Sequence, residues 1–145
     1  MEFTGSAPFR ARRDEVFAFF SDPTRLGPCL PVPVERVDAL HYLAQARLGS
    51  GFLSTMVRVD LEITEAIEGW SATIVGRGGA SGTVVEGSWR FAIRDGSTDD
   101  PTTVDWQAEI HLTGMFAGQA SRLIEERAPE AIDQLLACIG RLLGG

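Results

Sequence analysis

The sequence predicts an α+β fold, a curved antiparallel sheet of about six strands with its dry face against one long C-terminal helix. Three observations carry that prediction. From about residue 35 to residue 112 apolar and polar residues alternate with a period of two. Residues 115–143 change to helical spacing. Between the first strand and the alternating region lies an aromatic, proline-punctuated segment, residues 16–31, suited to two short helices.

Phe3–Phe9 reads as a short strand. Asp14 is a fitting N-cap for a helix carrying Val16, Phe17, Phe19 and Phe20. Asp22-Pro23 then reads as a cap followed by proline at the first helical position, opening a one-turn helix that Gly27-Pro28 stops. In residues 41–48, Tyr42, Ala44, Ala46 and Leu48 alternate with His41, Leu43, Gln45 and Arg47, which leaves the facing of this strand undecided. The next strand is sharper: Leu53, Thr55, Val57, Val59, Leu61 and Ile63 oppose Phe52, Ser54, Met56, Arg58, Asp60 and Glu62. Trp70–Val75 makes a strand and Gly76–Gly82 a turn. Val85, Gly87, Trp89, Phe91 and Ile93 share one face of the following strand. After a turn at Asp95–Pro101, Val104, Trp106, Ala108, Ile110 and Leu112 alternate with Asp105, Gln107, Glu109 and His111. Such alternation marks an antiparallel sheet with one wet and one dry face.

The final helix, Met115–Leu143, would be about 40 Å long. Its apolar stripe is Leu123, Ile124, Ile132, Leu135, Leu136, Ile139, Leu142 and Leu143, opposed by Arg122, Glu126, Glu130, Asp133 and Arg141. Pro129 should kink or break it near Ala128. Residues 1–145 form one domain, long enough to bury a core.

Composition narrows the function. A net charge of −7 argues against a nucleic-acid binder. Arg10, Arg12 and Arg13 form the one basic cluster, a solvated helix entrance or a small patch for anionic headgroups or an acidic partner. All 13 basic residues are arginine, so no Schiff-base, phosphate-loop or general-base lysine is available. Met1–Gly5 shows no export signal and no apolar run reaches the ~18 residues of a membrane span, so a cytoplasmic location is expected. In that compartment Cys29 and Cys138, which lack metal-ligand spacing, should be thiols, Cys138 a small core residue beside Leu135 and Leu142.

Polar chemistry finds no constellation. His111 falls on a polar face beside Glu109, His41 stands alone, and these two with the cysteines lack the spacing of a metal site. The carboxylate pairs Asp14-Glu15, Asp99-Asp100 and Glu125-Glu126 fit a turn and helix surfaces. Ser54 and Thr55 have no base neighbour. No catalytic residue, metal ligand or cofactor site is expected, and the chain reads as a non-enzyme. The apolar set is the informative one. Tyr42, Leu53, Val57, Trp89, Phe91, Trp106, Phe116, Ile124 and Leu136 should converge between sheet and helix, with Phe20, Leu26 and Leu30 turned inward from the proline-rich segment. Such residues fill a core or line an apolar cavity. Tyr42, the single tyrosine, could donate its hydroxyl to a ligand carbonyl.

The element order and particular motifs resemble the START-like (SRPBCC) superfamily of helix-grip proteins, and within it the family of the carbon monoxide dehydrogenase G subunit. The resemblance rests on Val16-Phe17-Ala18-Phe19-Phe20-Ser21-Asp22-Pro23, Cys29-Leu30-Pro31, Leu48-Gly49, Gly76-Arg77-Gly78 and Leu112-Thr113-Gly114, and covers nearly the whole chain. It implies an accessory protein for molybdenum-dependent dehydrogenases. Such a protein holds a lipid or quinone-like molecule in the sheet–helix cavity and assists recruitment of the enzyme to the inner membrane face. Implied partners are that apolar molecule, the dehydrogenase and a membrane surface in peripheral contact; a second copy of the chain is a further candidate partner. Where the family has glycine after Leu-Pro, this sequence has Val32, at the rim of the expected cavity. Two other readings stay open: an enzyme of the polyketide cyclase or aromatase type, and a protein-interaction subunit with a filled core.

Overall fold

The computed structural model describes residues 1–30, 32–48, 55–80, 82–94, 102–115 and 117–143. It contains β1 (Glu2–Phe9), α1 (Arg13–Phe20), a 3₁₀ turn (Gly27–Cys29), β2 (Val34–Arg36), β3 (His41–Leu48), β4 (Thr55–Ile67), β5 (Ser71–Ala80), β6 (Thr83–Arg94), β7 (Thr102–Gly114) and α2 (Ala117–Leu142). One antiparallel sheet holds the strands in the order β1-β7-β6-β5-β4-β3-β2. It has seven strands, against about six expected. The additional one, β2, has three residues and is too short to show a period of two.

The alternation translates directly into register. Residues paired across neighbouring strands share a face. Phe3, Ala108, Trp89, Ile74 and Ile63 form one inward row, and Gly5, Trp106, Phe91 and Ala72 the next. The facing of β3 is now decided: Tyr42 pairs with Leu61 and Ala44 with Val59, which turns both inward and leaves His41 and Gln45 exposed. Burial drives this choice, because one residue of slip would turn Tyr42 out and His41 in.

Local signals are less faithful. The N-cap of α1 is Arg12, which makes no side-chain cap bond. Asp14 lies within the first turn, and its carboxylate accepts from the Glu15 backbone N–H. There it complements the helix dipole rather than capping the helix. Asp22 does cap, but a turn: its carboxylate accepts from the Thr24 N–H and hydroxyl. The one-turn helix comes later, at Gly27–Cys29, so Gly27-Pro28 begins it instead of ending it. Residues 76–80, expected as a turn, continue β5. Ala80 pairs with Thr83, and Gly82 takes φ +80°. Trp70 lies in the preceding turn, one residue before β5. The helix α2 runs through Pro129 as one element.

The cysteines are not thiols. Cys29 and Cys138 are joined as a disulfide across a sequence separation of 109 residues, with Cα atoms 5.7 Å apart. The last turns of α2 pack beside the 3₁₀ turn, and this proximity is invisible in a sequence that places the two so far apart.

The main core gathers Phe9, Val16, Phe20, Phe91, Ile93, Val104, Trp106, Ile139 and Leu143. Phe20 makes an edge contact with Phe9 at 5.4 Å and a tilted one with Phe91 at 5.5 Å. A second, smaller cluster holds Tyr42, Ile63 and Ile74. Trp89 packs against both.

Candidate functional site

The inner face of the sheet is not uniformly packed. Two more inward rows run alongside the clusters, the first of them reaching Tyr42 of the smaller one. One runs Ile110, Gly87, Gly76, Leu61, Tyr42, and the other Leu112, Val85, Gly78, Val59, Ala44. Ile110, Leu112, Val85, Val59 and Val57 are half-buried and belong to neither cluster. On α2 the division repeats: Ile132, Leu135, Leu136 and Ile139 pack into the main core, as does Leu143 just past the helix, whereas Ile124 is half-buried outside it. The dense half of the interior lies under the C-terminal half of α2, and an apolar, incompletely covered half lies beyond it.

Glycines deepen that half. Gly76, Gly78 and Gly87 sit side by side on β5 and β6, where side chains would otherwise fill the concave face. A Cβ on Gly76 would come within 2.9 Å of Leu61 Cδ2, and one on Gly78 would run into the Arg58 carbonyl oxygen. At Gly78 the strands approach too closely for any other residue, whereas at Gly76 the Leu61 side chain alone would have to move. Leu61, Val59, Val85 and Trp89 flank these glycines on the same face.

A cleft of about 620 Å³ opens between α1 and β2–β4. Phe17, Ala18, Tyr42, Leu40 and Ile63 line it, with Asp14, Asp22, Arg25, Arg36 and Glu68 among its polar residues. Tyr42 and Ile63 are themselves inward-facing, so the cleft ends where the Leu61–Gly76–Gly87 row begins. The Arg36 guanidinium lies 6.0 Å from the centre of the Tyr42 ring. Burial pushes the Tyr42 hydroxyl up from its ordinary pKa, and the Asp22 carboxylate adds to the shift. It stays a neutral donor at physiological pH.

Trp106 supplies the one anomaly among the described residues. Its ring stacks on Trp89 at 5.1 Å with an interplanar angle of 14°. Its other neighbour is Gly5, where a Cβ would come within 2.7 Å of the indole, so the glycine makes room for the ring. Trp106 is 8% exposed and its Nε1–H, wholly shielded from water, has no hydrogen-bond partner among the described residues. A buried donor left unpaired costs about 1–3 kcal/mol.

The sequence-predicted site residues divide among these places. Phe20 and Phe91 are fully buried in the main core, and Leu26 and Leu136 pack against it. Tyr42 lines the α1 cleft, Val57 and Ile124 belong to the half-covered interior, and Trp89 and Trp106 form the stacked pair. Leu30 is half-buried after the 3₁₀ turn. Leu53, Phe116 and Pro31 lie outside the described residues. Val59, Leu61, Val85, Ile110 and Leu112 belong to the alternating pattern, which gives no reason to single them out from the rest of the dry face. Phe17, Asp22 and Arg36 join the cleft through packing that no local signal reveals.

The outer face carries ordinary solvated chemistry. A shallow basin of about 470 Å³ there includes both histidines. His41 contacts Asp38 at 2.8 Å, a hydrogen bond that raises its pKa, and His111 contacts Glu109 at 2.9 Å. Asp105 accepts from Arg94 and Ser6, which hold its pKa down at about 2. Among the described residues no group of histidine, cysteine and carboxylate side chains could hold a metal ion, and no helix is long and apolar enough to cross a membrane.

Solved structures share this architecture. A conserved protein from Geobacillus kaustophilus superposes with a TM-score of 0.81 at 16% identity, covering 99% of this chain and 95% of that one. A protein from Chromobacterium violaceum gives 0.71 at 15% identity over 100% and 99% of the two chains. One from Thermus thermophilus gives 0.63 at 17% identity over 97% and 95%. These likenesses establish the fold. No curated protein matches the chain. The family model for the G subunit of carbon monoxide dehydrogenase (CoxG) matches residues 5–144, nearly the full length, so the chain belongs to the CoxG family.

Proposed function

We propose that this chain is a non-enzymatic accessory protein that carries an apolar small molecule, lipid or quinone-like, on the inner face of its sheet. In this role it serves a molybdenum-dependent dehydrogenase or that enzyme's recruitment to a membrane. The observation that carries the reading is the half-covered apolar interior of Val57, Val59, Leu61, Val85, Ile110, Leu112 and Ile124 around three adjacent glycines. A ligand covering ~300 Å² of apolar surface there would gain about 7 kcal/mol gross, before the costs of association. The α1 cleft, ending at Tyr42 and Ile63, offers a way in.

Family membership supports the accessory role and the dehydrogenase partner. Extraction of the purified protein followed by mass spectrometry, with titration of decylubiquinone and palmitate, tests ligand carriage. Recovery or uptake of a lipophilic molecule is expected; neither recovery nor uptake would end this reading. Capture of a molybdenum-dependent dehydrogenase by tagged protein, in the presence and absence of ligand, tests the partnership.

An enzyme of the cyclase type has one group in its favour, Tyr42 beside the charged residues of the cleft. Gln45 and Arg58, which would have strengthened it, are exposed, and Arg58 pairs with Asp60. A Tyr42→Phe variant that keeps ligand carriage favours the carrier.

A further inference from the structure

The α1 cleft contains a polar group that the fold buries and leaves unbonded, the hydroxyl of Tyr42. We infer, on the carrier reading above, that this cleft receives the polar end of the carried molecule. That end is a neutral carbonyl accepting a hydrogen bond from Tyr42 Oη, and not a carboxylate.

One stripe of α1 makes the first wall. Phe17, Ala18 and Ser21 follow Asp14 at i+3, i+4 and i+7 and line the cleft, while Val16 and Phe20 turn into the main core. The opposite wall is set by the turn before β3. There the Asp38 carboxylate accepts from the Leu40 and His41 backbone N–H groups. The Ile63 N–H donates to the Leu40 carbonyl, which ties that turn to β4. Leu40, Tyr42 and Ile63 thus face the helix across a volume of about 620 Å³, within the ~300–1,000 Å³ of small-molecule sites.

Neighbouring polar side chains have partners. Ser21 Oγ donates to the Phe17 carbonyl, Asp22 Oδ1 accepts from Thr24, and Arg25 lies 3.7 Å from Asp22 Oδ2. Arg36 Nε donates to the Asp38 carbonyl. Tyr42 is 3% exposed, and its hydroxyl bonds to no described residue. It is not sealed in, since Trp106 Nε1 is the single wholly shielded, unpaired side-chain atom among those residues. The charges acting on the hydroxyl are Asp22, Arg36 and Asp38, and the first two line the cleft, so the hydroxyl faces that space. Asp22 acts on it more strongly than Arg36. A carbonyl oxygen therefore satisfies the donor without adding charge. A carboxylate would bring a second negative charge beside Asp22 and lose its own hydration. The carbonyl's advantage over a hydrocarbon is about fivefold in affinity, equivalent to ~1 kcal/mol.

Calorimetric titration of 2-acetylnaphthalene, 2-ethylnaphthalene and 2-naphthoate separates three chemistries on one ring system. Wild-type protein should bind the ketone about fivefold more tightly than the hydrocarbon, and about tenfold or more above the carboxylate. Tyr42→Phe, which keeps the ring and its packing, should remove the ketone's advantage and leave the hydrocarbon within about twofold of wild type. In wild-type protein, intermolecular NOEs should join the naphthyl ring of the ketone to Phe17 and Leu40, a readout independent of any variant. Decylubiquinone and methyl palmitate, competed separately against the ketone, distinguish a quinone source of the carbonyl from an ester source; displacement by neither overturns the inference. Equal affinities for ketone and hydrocarbon, a tighter carboxylate, or NOEs to Val85 and Leu112 instead also overturn it, and leave the carrier reading standing. Binding of none of the three probes, with no uptake of decylubiquinone or palmitate, overturns both.

Discussion

Removing the Cys29–Cys138 bond perturbs this fold at a single, calculable point. The bond closes a loop spanning β2 to β7 and most of α2, with a sequence separation of 109 residues. Loop-closure entropy gives about 4.7 kcal/mol of stabilisation for a ~100-residue loop, acting on the unfolded chain. Natural domains are stable by only about 5–15 kcal/mol, so the loss would be a third or more of the total. At ~2–4 °C per kcal/mol for a domain of this size, the melting temperature should fall by roughly 10–20 °C. The assay is a pair of thermal melts, oxidised and reduced, with the Cys29→Ser/Cys138→Ser double variant as a third. Intact mass spectrometry under non-reducing conditions must first show the loss of two hydrogens. Two free thiols in protein purified under air, or melts that coincide after complete reduction, refute the reasoning. A reduced protein that melts lower but keeps the wild-type circular dichroism spectrum supports it, because the bond then acts on the unfolded chain and not on the fold itself.

Gly78→Ala puts a methyl group against the Arg58 carbonyl and should destabilise by about 2 kcal/mol or more, read as a lower urea midpoint. Phe20→Ala opens a cavity among Phe9, Val16 and Phe91 and should cost about 3–5 kcal/mol in the same assay. The Asp105 carboxyl, held at about 2 by Arg94 and Ser6, has a folded pKa below its unfolded one. Its contribution is therefore present above pH ~4 and lost as pH falls toward 2. The pair is well solvated, so the effect should be under ~1 kcal/mol, visible as a shallower acid limb in Asp105→Asn. His41 is shifted the other way by Asp38, and an NMR titration should find its pKa above 6.5 and returning toward that value in Asp38→Asn.

How much of this is legible in the sequence depends on which force placed each element. Strands β4, β6 and β7 are readable because one face is dry and the other wet, so burial writes a period of two into the sequence. Strand β5 is half hidden: Gly78 and Gly79 are there because backbones approach, and a missing side chain has no hydropathy. In β3 the apolar Leu43, among His41, Gln45 and Arg47, blurs the pattern, and pairing with Leu61 and Val59 decides what sequence leaves open. The same limit applies to the site. Its apolar residues are in the alternation, but which of them fill the core and which stay half-covered depends on where α2 lies. Phe20 and Phe91 are chemically indistinguishable from cavity residues and are solid core. The unpaired Trp106 donor and the cysteine pair are properties of three-dimensional neighbourhood alone.

The place of β1 in the sheet has a consequence during synthesis. Every other neighbouring pair in the order β7-β6-β5-β4-β3-β2 is a hairpin of consecutive strands, able to close as soon as it is made. Strand β1 is translated first, yet its neighbour in the sheet is β7, whose Thr102 pairs with Phe9. With roughly 90 residues between them and elongation at ~5–20 residues per second, β1 waits about 5–20 s for its partner. Gly5, Pro8 and alternate polar residues make it a poor template for pairing with other nascent chains. When β7 arrives, Phe3, Ala7 and Phe9 close the main core together with the helix after it, so the strand made first is among the last to be buried.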